Sequence, residues 1–157
     1  IPVTRSTSTR TMWCPRPGSL RFGSATRPPA SGLVPIIEPE IDINSTTKRE
    51  CEELLKGNIH EQLQTVADGQ QFMLKVTLPE QDDFYADLVA HPKVLKVVAL
   101  SGGYNRAEAD ERLAKQHVVI ASFSRALTEG LSAQQTPAEF DAQLNESIAK
   151  IFAASMT

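Results

Sequence analysis

The sequence predicts an α/β fold in which four consecutive strand–helix units build a parallel sheet. Three observations predict it. Apolar runs of strand length recur at residues 33–37, 72–76, 94–100 and 118–121. They are rich in Val, Ile and Leu and apolar on both faces, the pattern of parallel strands covered on both sides. The stretches between them carry helical spacing and helix caps. Four such units call for right-handed crossovers, hence a doubly wound sheet or part of an eight-fold barrel. They occupy the 126 residues from Gly32 to Thr157, half of the roughly 250 a barrel takes. Length therefore predicts half of a (β/α)8, or TIM, barrel.

Residues 1–31 stand apart from this pattern. The segment "IPVTRSTSTRTMWCPRPGSLRFGSATRPPAS" is crowded with Ser, Thr, Pro and Arg and lacks either periodicity, which predicts disorder. Two readings of it stand. An Arg- and Ser-rich, acid-free lead suits an organellar transit peptide; the missing initial Met favours a non-native lead joined to a real domain near Ser31.

The first unit pairs the run Leu33 to Ile37 with a helix from Thr46 to Val66, where Cys51, Leu54, Leu55, Ile59, Leu63 and Val66 fall on one stripe. Asp68-Gly69 turns the chain into the second run. A shorter helix at about Asp82 to Ala90 stops before Pro92. After the third run, Asn105 with Glu108 three residues on marks a helix start. In the last unit Thr136 caps, Pro137 takes the first helical position and Glu139 closes a capping box. Phe140, Leu144, Ile148, Ile151 and Phe152 then form the expected buried stripe.

Composition bounds the function. A hydrophobic fraction of 41% with 22% charged residues is ordinary for one globular domain. No run approaches the roughly 18 apolar residues of a membrane span, so no membrane partner is expected. Two cysteines, Cys14 and Cys51, are too few for a disulfide framework or a structural zinc site, which suits a reducing cytoplasm. The net charge of −3 hides an asymmetry: five arginines and no acid lie in residues 1–31, leaving 11 basic residues against all 19 acids in the remainder. An acidic body argues against nucleic acid, while a local phosphate pocket stays open. His60, His91 and His117 lack ligand partners at short spacing, so no metal is expected.

In parallel α/β folds chemistry gathers at the carboxyl ends of the strands. Each end here carries polar groups: Glu38 and Glu40 after the first, Lys75 on the second, Ser101-Gly102-Gly103 after the third, and Ser122 to Arg125 after the fourth. Lys75 sits between Leu74 and Val76 on a strand expected to be buried, where desolvation favours the neutral, nucleophilic amine. Such an amine attacks carbonyls to give a Schiff base; a plain strand lysine would instead extend its head to water. Glu38 and Glu40 suit the proton transfers that Schiff-base chemistry needs, or form an ordinary acidic loop. Gly102 and Gly103 let backbone N–H groups approach a phosphate. Arg125 adds a guanidinium fork, with a surface salt bridge as the plainer alternative. Together these residues describe a site for a phosphorylated carbonyl compound.

The motifs "GLVPIIEPEIDI", "MLKVTLP", "HPKVLKVVALSGGYNRAEA" and "VIASFSRALTEGL" resemble, in order and spacing, the C-terminal half of class I fructose-bisphosphate aldolase, particularly its bacterial branch. The resemblance covers residues 32–157. It implies a glycolytic lyase that reversibly cleaves fructose 1,6-bisphosphate to dihydroxyacetone phosphate and glyceraldehyde 3-phosphate, with neither metal nor other cofactor. By motif, Lys75 would form the Schiff base and Glu38 would transfer protons, with Glu40 shaping the charge beside it. Ser101, Gly102, Gly103, Ser124 and Arg125 would hold a substrate phosphate. Ser124 stands where animal members have glycine. The aspartate and lysines of the family's earlier strands have no counterpart here. Half a barrel leaves two strand edges unpaired, so self-association through them, poor stability and negligible turnover alone are expected. The alternative is a non-catalytic remnant that at most binds sugar phosphate.

Overall fold

The computed structural model describes residues 33 to 157; the expectations for residues 1–31 lie outside the described residues. In chain order the elements are β1 (Ile36–Ile37), α1 (Lys48–Leu63), β2 (Phe72–Thr77), α2 (Ala86–Val89), β3 (Val94–Leu100), α3 (Arg106–Leu113), β4 (Ile120–Ala121), α4 (Arg125–Thr128) and α5 (Pro137–Ala154). The strands form one sheet in the order β1-β2-β3-β4, and every neighbouring pair is parallel. Four parallel strands in sequence order, alternating with helices, are the arrangement of part of a TIM barrel.

The two inner strands run close to the expected lengths and the two outer ones shrink to two residues each. A strand with a neighbour on one side only makes one ladder, and its ends fray where the ladder stops. The short helix α4 had no separate expectation, because a four-residue turn carries too little periodicity to read.

Helices cover one face of the sheet. Along β2, Phe72, Leu74 and Val76 point into the core while Met73 and Lys75 are half-buried. From α1, Leu55, Ile59 and Leu63 complete that core and are 1% exposed or less; each contributes about 1.5–3 kcal/mol by leaving water. Cys51 lies on the same stripe and is fully buried, in the core position that the sequence predicts. Lys93 Nζ donates to the carbonyls of Val66 at 2.6 Å and Leu63 at 3.3 Å, placing a cation on the end of α1.

The opposite face departs from the expectation that both sides of the strands are covered. Ile36, paired with Met73, is 47% exposed, and Ile120, in register with Val98 and Lys75, is 36% exposed. In a closed barrel this face would be the interior. Leu95 is exposed for a separate reason: Phe72 pairs with Val94 and Met73 with Lys96, so Leu95 is an extra residue in a bulge.

Helix α5 differs in the same direction. Its start is as expected: Thr136 and Glu139 form the capping box and Pro137 opens the helix. Its packed face, however, runs through Leu144, Ser147, Ile151 and Ala154, one step round from the expected stripe. Small Ser147 and Ala154 allow close approach, while Phe140, Ile148 and Phe152 remain exposed. Ile148, Phe152 and Met156 line an apolar cavity of about 470 Å³ with Ile120 at the free edge of β4. No helix among the described residues is long and apolar enough to cross a membrane.

Candidate active site

The site is built where β1 and β2 run side by side. The register Ile36 to Met73 and Ile37 to Leu74, continued by one residue, sets Glu38 beside Lys75. Side chains alternate along a strand, so both groups leave the sheet on its open face. There Lys75 Nζ donates to Glu38 Oε2 at 3.1 Å. The Lys75 side chain is 26% exposed and that of Glu38 38%. The expectation of a dry amine is therefore corrected: the helix-covered face is dry, but the face that carries Lys75 is open.

Glu40 lies two residues beyond Glu38 and is half-buried. Among the described residues it forms no hydrogen bond with Lys75. The segment that bears both acids is anchored instead at Ile41. Its N–H donates to Thr77 Oγ1 at 2.9 Å, and the Thr77 hydroxyl donates back to the Ile41 carbonyl at 3.3 Å. Thr77 is absent from the sequence reading. The signal for it was a polar residue two positions after Lys75, which strand alternation places on the same face.

The β3–α3 turn has the predicted backbone. Gly102 and Gly103 have φ of 64° and 118°, conformations that side chains disfavour. Space excludes them too: a Cβ on Gly102 would lie 2.9 Å from Ile43 Cγ2 and 3.2 Å from Thr77 Cγ2. Ser101 is buried, and its carbonyl accepts from Tyr104 N–H at 3.0 Å. Asn105 then caps α3 by accepting from Glu108 N–H at 2.9 Å.

Ser124 and Arg125 are exposed at the start of α4. Arg125 has no ion-pair partner among the described residues. Neither residue is hydrogen-bonded or ion-paired to Lys75 or Glu38. The histidines sit elsewhere: Nε2 of His60 is 2.8 Å from Asp87, and Nδ1 of His117 is 2.8 Å from Asp83. Among the described residues no group of three or more His, Cys, Asp and Glu side chains is placed to hold a metal ion.

A loop lies behind the carboxyl end of β2, held by a buried ion pair from α1. Lys48 bonds Glu52 and donates to the Leu78 carbonyl at 2.9 Å, while Glu52 Oε2 accepts from Glu80 N–H at 3.2 Å. Burial pushes the Glu52 carboxyl above its usual range, against the opposing pull of Lys48 and the Glu80 N–H.

Comparison with known proteins supplies the lineage. The chain is 60% identical over 128 residues to a class 1 fructose-bisphosphate aldolase of Synechocystis, a match covering 82% of this chain and 43% of that protein. It is 53% identical over 125 residues to that of Porphyromonas gingivalis, covering 80% and 42%. For Clostridium acetobutylicum the values are 50% over 137 residues, 87% and 46%. Over the matched stretch the chain is similar to class 1 fructose-bisphosphate aldolases. It spans less than half the length of these curated relatives, as its resemblance to their C-terminal half implies. No protein-family model matches it.

Proposed function

We propose that this chain carries the Schiff-base portion of a fructose 1,6-bisphosphate aldolase site, with Lys75 as the nucleophile. The observation that carries the proposal is the 3.1 Å approach of Lys75 Nζ to Glu38 Oε2 on the open face of the sheet. Glu38 takes the proton that the ammonium must lose before it attacks. The amine nitrogen then bonds to the ketone carbon of the sugar phosphate. The carbinolamine loses water to a protonated Schiff base.

In the cleavage direction a base removes the C4 hydroxyl proton and the C3–C4 bond breaks. Glyceraldehyde 3-phosphate leaves, and the bond's electron pair passes to the iminium to give an enamine. Protonation at carbon and hydrolysis release dihydroxyacetone phosphate and restore the amine. In this reading Glu38 makes these transfers, supported by its 3.1 Å approach to the amine. Glu40, on the same segment, adds negative charge beside the cation. The Ser101-Gly102-Gly103 turn offers backbone N–H groups to the ketose phosphate, with Arg125 as a fixed cation and Ser124 before it. A cytoplasmic location is part of this reading, and the charge that substrate phosphates hold at neutral pH supports a closed aqueous compartment.

The exposed sheet face favours a second reading, a remnant that binds sugar phosphate without turnover. A Schiff base needs a site that excludes water, and Lys75 is 26% exposed. The outer edges of β1 and β4, unpaired among the described residues, also suit self-association. Borohydride reduction in the presence of dihydroxyacetone phosphate, followed by peptide mass mapping, separates the readings. Covalent label on Lys75, absent in Lys75→Ala, is the expected result. A folded chain without label supports the remnant; label that persists in Lys75→Ala refutes the assignment.

A further inference from the structure

We propose that Thr77 is a positioning residue that holds the Glu38 segment and the Gly102 turn in place around Lys75. Its chemical consequence rests on the aldolase reading above, whereas the clamp itself rests on geometry. Strand pairing between β1 and β2 is limited to Ile36 with Met73 and Ile37 with Leu74. Beyond Ile37 the backbone carrying Glu38, Pro39 and Glu40 has left the ladder. Its next fixed point is Ile41, 2% exposed, whose N–H and carbonyl are both bonded to the single hydroxyl of Thr77, 1% exposed.

A side chain thus replaces the missing backbone ladder. Thr suits the task for two reasons. Its hydroxyl both accepts and donates, so it satisfies two buried backbone groups at once. Its branching at Cβ restricts χ1, so the hydroxyl and methyl hold fixed directions. The methyl faces the other neighbour: Thr77 Cγ2 lies 3.2 Å from a Cβ built on Gly102. Ile43, two residues beyond Ile41, closes over the same glycine, with its Cγ2 at 2.9 Å from that position. One residue therefore links the acid-bearing segment, the lysine strand and the candidate phosphate turn.

Thr77→Val keeps the shape and deletes the hydroxyl; Thr77→Ser keeps the hydroxyl and deletes the methyl. In the full 157-residue chain, amide hydrogen exchange at Ile41 reads the clamp without any catalysis. Exchange about tenfold faster in Thr77→Val, and close to the parent rate in Thr77→Ser, is expected from losing one net hydrogen bond. Borohydride trapping of dihydroxyacetone phosphate on Lys75 reads the consequence. Thr77→Val should lower the saturated trapping rate about tenfold and alter its pH profile, because Glu38 is displaced. Thr77→Ser should restore both, which a merely structural role would not do.

Unchanged Ile41 exchange in a folded Thr77→Val chain overturns the clamp, as does equal damage in Thr77→Ser. Should Thr77→Val not fold, Thr77→Ala against Thr77→Ser gives the same comparison. If the parent chain takes no label at Lys75, the aldolase reading fails, and Ile41 exchange still decides the clamp.

Discussion

Removing one member of the buried pair Lys48–Glu52 should cost more than removing both. The side chains are each 1% exposed, and they are partners of one another across one helical turn. Glu52→Leu would leave an ammonium in the core with the Leu78 carbonyl as its remaining contact. Lys48→Met would leave a carboxylate with the Glu80 N–H. Breaking a buried pair in this way costs about 3–5 kcal/mol. The double substitution removes both charges and their desolvation. Its main penalty is the Leu78 carbonyl, which loses its donor in a residue that is 0% exposed, at about 1–3 kcal/mol.

Urea denaturation of the four chains, followed by circular dichroism, closes the cycle. The double variant should be more stable than either single one by about 1 kcal/mol or more. Additive losses would show that the two charges are solvated independently, and the reasoning would fail. A pH series adds a sign. Burial raises the Glu52 carboxyl above its usual value of 4.5, so the folded state binds the proton more tightly and stability declines as pH rises through the folded value. Loss of Lys48 strengthens that trend. Lys48→Met should therefore cost less at pH 4 than at pH 7.

Three other outcomes are expected. Tyr85 is enclosed and its hydroxyl has no hydrogen-bond partner among the described residues, so Tyr85→Phe should leave stability unchanged or raise it by about 1 kcal/mol in thermal melts; a loss of that size would reveal a partner. Gly102→Ala combines a positive φ of 64° with a 2.9 Å contact to Ile43 and should lower stability by about 1–3 kcal/mol in the same melts, or else the turn adopts another conformation. Asp83 is held below its usual carboxylate range first by the His117 N–H and then by the His117 ring. Its contribution is present above pH 3.8 and is lost as pH falls through the lower folded value, so Asp83→Asn should flatten the acid limb of a melting-temperature profile.

The Lys75–Glu38 approach was legible because two rules combine without any tertiary knowledge: side chains alternate along a strand, and consecutive parallel strands sit side by side. The capping of α5 was equally local, since Thr136, Pro137 and Glu139 act within one turn. Other features were not local. The bonds from Thr77 to Ile41 span 36 residues, and no periodicity in either segment announces them. Arg125 was legible as a cation at a strand end, yet its exposure at the start of the short helix α4 was not.

By itself the sequence determined which residues form the four units, where α5 starts and which strand ends carry the lysine, the acids and the glycine turn. Those properties depend on propensities and spacings within a few residues. Only the tertiary structure decided that one face of the sheet stands open, that α5 packs through Ser147 and Ala154 while Ile148 and Phe152 stay outside, and that Lys75 meets water. An apolar residue carries the same signal whether or not another element covers it, and coverage is a property of the assembled fold.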